Sequence, residues 1–345
     1  MGTRPPTLEQ WRALYDATVA FASMKPWDYI NDESIIGVKD PVTGTVAYSS
    51  VMGGLGELMG LATYLGAEGL QHLHSAHADE TDYDDIELGT NLRALMTTFE
   101  SRRDLTKRDL DVIKKLGLTF KGPHDWPLFR SWEAGYAPWY LSQSEAVFLT
   151  HVLQQVTDVY LRARDNPSVL SLFGDDHYLI RVLSSGPDGP VWEDRLMRPE
   201  PPPQPAPATP VIVDELRLAR LANTATRSDT VWEVDMFRSP TPIQEGRDER
   251  PYLPYMQVMV DSGSFTVLAT ECTSAGHHRQ AFVDGLIKTM DRTKAIPGEI
   301  QVMRDSVLEL CKPVASRLNV PVRRNARLPV LEVFVTSVMQ RLGVK

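Results

Sequence analysis

Cysteine occurs only twice in the 345 residues, as Cys272 and Cys311. That excludes a disulfide framework and leaves two reduced thiols, each expected to serve as a small hydrophobe rather than a nucleophile. No apolar run approaches the roughly 18 residues that a membrane span requires. The opening residues, Met1 to Pro6, lead into a polar amphipathic stretch without the apolar centre of a secretory leader. The expected location is therefore cytoplasmic, without membrane contact. Cys-x-x-Cys and His-Glu-x-x-His are missing, and the glycines of Met52-Gly53-Gly54-Leu55-Gly56 lack the Lys-Ser/Thr pair of a phosphate-cradling loop.

What is present is an ordinary globular composition, 42% hydrophobic and 23% charged, so collagen, coiled coil and wholesale disorder are excluded. The length suits two domains. Proline recurs through Arg198–Pro210, where missing N–H donors and fixed φ favour an extended spacer over helix or sheet. The expected division is 1–197, a linker 198–210, and 211–345. Before Val211 there are 18 basic and 29 acidic residues, net −11; from Val211 onward there are 18 and 16, net +2. The acidity belongs to the first half.

In that half, Trp11, Leu14 or Tyr15, Thr18 and Phe21 make one helical stripe behind Thr7 as N-cap. Two hairpins are expected, one across Asp40-Pro-Val-Thr-Gly44 and one across Gly186-Pro-Asp-Gly189. A strand over 92–99 and helices over 105–116 and 144–164 complete an α+β domain without βαβ regularity. Trp126 to Trp132 and Gly135 to Tyr140 read as an aromatic loop, a candidate interaction surface through Trp126, Trp132 and Trp139, or a plug onto the core. His72, His74 and His77 followed by Asp79 and Glu80 carry metal-ligand chemistry, but on a helix only His74 and His77 share a face, so a solvated helix end is expected. The acidic run 79–87 lacks the glycine and closing glutamate of a calcium loop and reads as an exposed loop.

In the second half, strands over 230–237, 256–261 and 264–270, a helix over 278–291, a strand over 299–303, a helix over 307–318, a short strand at 320–323 and a helix over 330–342 give the order βββαβαβα. This half resembles the ribonuclease-H-like cores of retroviral integrases and transposases, on Trp232-Glu-Val-Asp235, the Val260-Asp261-Ser-Gly263 turn and the segment from Pro297 to Asp305. The resemblance implies an α/β fold with a mixed sheet, and catalytic Asp235, Asp305 and Glu332. Asp235, Asp261 and Asp305 would hold Mg²⁺ or Mn²⁺ if the domain is a nuclease or strand-transfer enzyme. The sequence departs from that pattern: Ser306-Val307 follow Asp305, and Gln340 stands where the final glutamate belongs.

The whole chain also resembles a bacterial two-domain family of unknown function, on Pro26-Trp27, Asp40-Pro41-Val-Thr-Gly44, Ser50-Val-Met-Gly53, Tyr64 to Gly69, Pro138-Trp139 and Arg250-Pro-Tyr-Leu-Pro254. Arg323, Arg324 and Arg327, with Arg304, Lys312 and Arg317 nearby, are the candidate surface for a polyanion. Against it stands a chain of net −9, so a protein partner is expected before nucleic acid. The incomplete acidic set favours a non-catalytic binding or regulatory protein over the enzyme.

Overall fold

A computed structural model describes residues 4–54, 56, 58–77, 91–171, 177–202 and 209–341. The acidic run 79–87, the side chain of His77 and residues 203–208 of the proline segment lie outside them. The chain divides into two compact units, one of Met1–Asp82, Asn91–Ala134 and Pro138–Gln204, the other of Tyr83–Thr90, Gly135–Ala137 and Pro205–Lys345. Both are mixed α/β, each built on a mixed sheet. No helix among the described residues is long and apolar enough to cross a membrane.

The first unit opens with α1 (Leu8–Ser23), whose Thr7 and Gln10 form the reciprocal capping box that Thr7 announces. β1 (Ile36–Lys39), β2 (Val46–Met52) and β3 (Gly60–Leu65) lead into α2 (Gly66–His77). After β4 (Ala94–Glu100) come α3 (Lys107–Lys115), β5 (Trp126–Trp132) and α4 (Gln143–Asp165). A hairpin of β6 (Tyr178–Gly186) and β7 (Gly189–Met197) ends the unit. The sheet order is β5-β4-β3-β2-β1-β6-β7, antiparallel throughout except for the parallel pair β1 and β6.

Alternation along the strands gives the sheet two apolar faces. Ile36, Val38, Ala47, Val51, Leu61, Leu95 and Phe129 meet α1 and α4 through Leu14, Tyr15, Phe21, Leu149, Val152, Val156 and Tyr160. Tyr48 and Ile180 point the other way, to Leu70 and Leu73 of α2. The aromatic segment from Trp126 is thus not a loop. It is edge strand β5, where Pro127 is tolerated because an edge needs no second row of donors.

The second unit begins with α5 (Glu215–Thr224), absent from the sequence expectation although Asp214 caps the Arg217 N–H and Leu218 and Leu221 are buried. β8 (Thr226–Arg227) is followed by β9 (Val231–Arg238), β10 (Tyr255–Asp261), β11 (Thr266–Thr273), α6 (His278–Thr293), β12 (Ala295–Ile296), β13 (Glu299–Val302), α7 (Asp305–Leu318), β14 (Val322–Arg324) and α8 (Pro329–Arg341). The main sheet runs β11-β10-β9-β13-β14. β9, β10 and β11 are antiparallel neighbours, and β13 and β14 continue parallel to β9. Trp232, Val234, Ile300 and Val302 face α5, α6 and α7 through Leu221, Phe282, Leu286, Leu310 and Val314. Val258 and Val260 face Leu331 and Val335 of α8.

Leu149 is fully buried at the centre of the first core. Its replacement by Ala should lower the stability of that unit by about 2–5 kcal/mol, read by urea unfolding. An unchanged midpoint would mean that α4 does not pack there.

Candidate functional site

The pleat of β9 sends Glu233 and Asp235 to the face opposite Trp232 and Val234, so two carboxylates are built into a sheet interior where an unpaired charge is expensive. Glu233 is nearly fully buried and accepts the Leu331 N–H at 2.8 Å, which satisfies one orphan donor in the first turn of α8. Asp235 is 1% exposed and ion-paired through Oδ2 with Arg304, itself 9% exposed. Arg304 is the N-cap residue of α7, and its guanidinium lies 5.7 Å from the Phe237 ring centroid. The second oxygen of Asp235, Oδ1, is buried without a hydrogen-bond partner. Burial, with the Asp235 charge second, pushes the thiol of fully buried Cys311 up to about 12.

The other sequence-predicted acids are taken up elsewhere. Asp305 opens α7 with its side chain 71% exposed, 3.4 Å from Arg324. Glu332 receives Arg327 at 2.6 Å and the Leu328 N–H at 3.2 Å. The Arg327 hydrogen bond, working against burial, holds this carboxyl below the usual range. Asp261 closes the β10–β11 turn, its Oδ1 accepting the Gly263 and Ser264 N–H groups at 3.0 Å. The ladder puts Asp261 opposite Trp232 and Asp235 opposite Val258, so the two aspartates are separated by three residues along β10, about 10 Å. Among the described residues no three His, Cys, Asp or Glu side chains are grouped so as to hold a metal ion. Of the four acids expected to converge, Asp235, Asp305 and Glu332 each lie against an arginine, and Asp261 against backbone N–H groups.

The arginines of the candidate basic patch are also paired. Arg323 meets Glu299 at 3.1 Å, Arg324 meets Asp305, Arg327 meets Glu332, and Arg317 meets Glu215 at 2.6 Å. Opposite charge beside every one of these guanidinium groups weakens the field a polyanion would follow.

In the first unit, Trp126, Trp132 and Trp139 are each half-buried. Trp126 packs edge-on to Phe120 at 5.8 Å between centroids. Trp139 is tied to Ser131 of β5 by reciprocal backbone hydrogen bonds of 2.8 and 2.9 Å. Tyr140 lies between the Arg108 and Arg130 guanidinium groups, 4.1 and 4.9 Å from its centroid. The three tryptophans lie on and beside edge strand β5, each with part of its surface open.

Two adjoining cavities of about 370 and 460 Å³ open over the start of α4 and share Asp40, Thr43, Ser144 and Phe148. Ser142 and Glu145 cap α4 reciprocally there, and Arg93 pairs with Glu68 at 3.0 Å on one rim. On the other rim, burial pushes the His151 imidazole below its ordinary value, and the Asp40 carboxylate opposes that shift. Sequence reasoning singled out the 40–44 turn as a hairpin and 144–164 as a helix. Nothing in either signalled that they share a cleft.

Residues 11–181 match the family model described as Domain of unknown function (DUF7309), and residues 217–339 match Domain of unknown function (DUF6930). The chain pairs two domain families of unknown function. No curated protein matches it. The cleft lies in the DUF7309 part, and the acid–arginine pairs lie in the DUF6930 part.

Two outcomes follow from the DUF6930 geometry. Because Glu332 binds its proton less readily folded than unfolded, its stabilisation is present above the ordinary carboxylate pKa and is lost as the pH falls through the depressed value. Glu332→Gln should therefore be less stable than wild type at neutral pH, with the gap closing on acidification; a gap constant across pH would refute the pairing. A thiol reagent should modify exposed Cys272 in the native protein and Cys311 only after denaturation. Rapid native modification of both would mean that the Asp235 environment is open.

Proposed function

We propose that the chain is a non-catalytic binding or regulatory protein of the cytoplasm, organised as a domain over 1–197, a proline-rich linker over 198–210 and a ribonuclease-H-like domain over 211–345. The observation that carries this reading is the buried Asp235–Arg304 pair. Asp235 stands on the central strand, where the resemblance puts a metal-binding carboxylate, and a guanidinium neutralises it there. A bound divalent cation and that guanidinium would compete for one carboxylate, and removing Arg304 from Asp235 would leave a buried charge uncompensated. The ribonuclease-H-like assignment is supported by the β11-β10-β9-β13-β14 order with its antiparallel first three strands and parallel last two. Two free cysteines suit a reducing compartment. The paired arginines and the net charge of −9 favour a protein partner over nucleic acid.

The test is a titration of Mn²⁺ and Mg²⁺ into the intact protein, following melting temperature, beside Asp235→Asn and Asp235→Leu/Arg304→Leu. Neither ion should raise the wild-type midpoint. Asp235→Asn should lose about 3–5 kcal/mol by stranding Arg304, and the double variant should recover most of it. A midpoint raised by Mn²⁺ in wild type and not in Asp235→Asn, together with cleavage of nucleic acid, would establish the enzyme instead.

A further inference from the structure

The last strand of the first unit ends its sheet with an unusually open edge. β7 runs for nine residues and, among the described residues, pairs only with β6, and Gly189–Val191 and Glu193–Leu196 are all exposed. Gly186 and Gly189 face each other across the two-residue turn Pro187-Asp188. In a two-residue hairpin that closing pair exchanges hydrogen bonds, and the pattern then alternates along the ladder. Val191, Glu193, Arg195 and Met197 therefore bond inward to β6, while Pro190, Trp192, Asp194 and Leu196 turn their backbone groups outward. Pro190 has no N–H to turn inward or outward, and it occupies one of the outward positions.

We propose that β7 pairs antiparallel with β7 of a second copy about a two-fold axis at Asp194, joining the two sheets edge to edge. An antiparallel dyad can pass through a hydrogen-bonded or a non-hydrogen-bonded facing pair; an axis at Glu193 or Arg195 would set like charges opposite one another, whereas the axis at Asp194 lets the two copies of Asp194 exchange backbone hydrogen bonds and sets Glu193 opposite Arg195. In that register Trp192 lies opposite Leu196 and Glu193 lies opposite Arg195, each twice by symmetry. The partner strand covers Leu196, which is 51% exposed, with an indole, and Val191, 44% exposed, with Met197. Charges on an edge strand ordinarily repel a second strand. Here Glu193 and Arg195, already 3.3 Å apart on one strand, sit symmetrically about the axis, so each charge meets a second opposite one when the strand meets itself.

The juxtaposition of two Asp194 side chains is already compensated. Each receives Arg162 at 2.7 and 3.1 Å and is ion-paired with Arg181. Asp158 lies 3.3 and 3.5 Å from the same two arginines, so each four-residue cluster is neutral. The partner that fits is a second copy of this chain rather than an arbitrary strand, because only a self-pairing puts Glu193 against Arg195 in both directions.

Sedimentation velocity over a dilution series tests this with the full chain. Wild type should show a reversible monomer–dimer equilibrium. Arg195→Glu and Glu193→Arg, each placing like charges opposite one another twice, should weaken association by about tenfold or more. The charge-exchanged Glu193→Arg/Arg195→Glu protein should dimerise again, because the symmetry restores both pairs. Melting temperatures near wild type keep a folding defect from being mistaken for lost pairing. Monomer at every concentration would overturn the proposal, as would a dimer indifferent to the single changes or one the double exchange fails to restore. An edge that takes only a foreign strand would give the first of these results.

Discussion

One buried ion pair organises the second unit. Asp235 lies on β9, the strand between β10 and β13, and Arg304 stands at the junction of β13 with α7. A buried pair of opposite charges fixes the relative position of the elements that carry it, because any slippage would separate the charges in a medium that solvates them poorly. Glu233, two residues earlier on the same face of β9, does the equivalent for α8 by holding the Leu331 N–H. Hydrophobic contact brings α7 and α8 to the sheet, and the two carboxylates set the register at which they stop. Such pairs are weak evidence for stability in themselves; their value is in making one arrangement distinct from its neighbours.

The surface around that unit repeats the theme at lower stakes. Arg323, Arg324 and Arg327 each find a carboxylate within 3.4 Å, and Arg217 and Arg220 share Asp291. Exposed pairs of this kind contribute little to stability, roughly 0–1 kcal/mol each. Their effect is on the long-range field: each carboxylate offsets part of the positive charge that the arginines carry in the sequence.

Much of the fold was legible because it is written in local periods. Asp40-Pro-Val-Thr-Gly44 and Gly186-Pro-Asp-Gly189 marked their hairpins, Thr7 marked the start of α1, and the order of strands and helices from residue 230 onward could be read element by element. β5 was missed because both faces of Trp126 to Trp132 carry large side chains and a proline, which hides the alternation that burial then reveals. α5 was missed because its apolar face is only Leu218 and Leu221 beside a proline-rich stretch. The acids were found, but not their partners. Asp235 and Arg304 are 69 positions apart, and no local pattern says which arginine will occupy a given carboxylate. The cleft above α4 is illegible for the same reason, since its walls come from separate segments that only tertiary packing brings together.

The parallel join between β1 and β6 has a consequence for how the first unit comes into being. Ile36 finds Leu179 only after β2, β3, β4, β5 and all of α4 have been made. During synthesis one edge of β1 has no neighbour until nearly the whole unit has left the ribosome, and closing so long a loop is slow compared with forming the hairpins on either side. The nascent chain therefore carries an open sheet edge for most of the synthesis of this unit, and the β6–β7 hairpin works as a late-arriving lock that ends this exposure. Truncation just before Tyr178 would leave a hydrophobic sheet permanently without its closing strands, a species prone to pairing with whatever extended chain it meets.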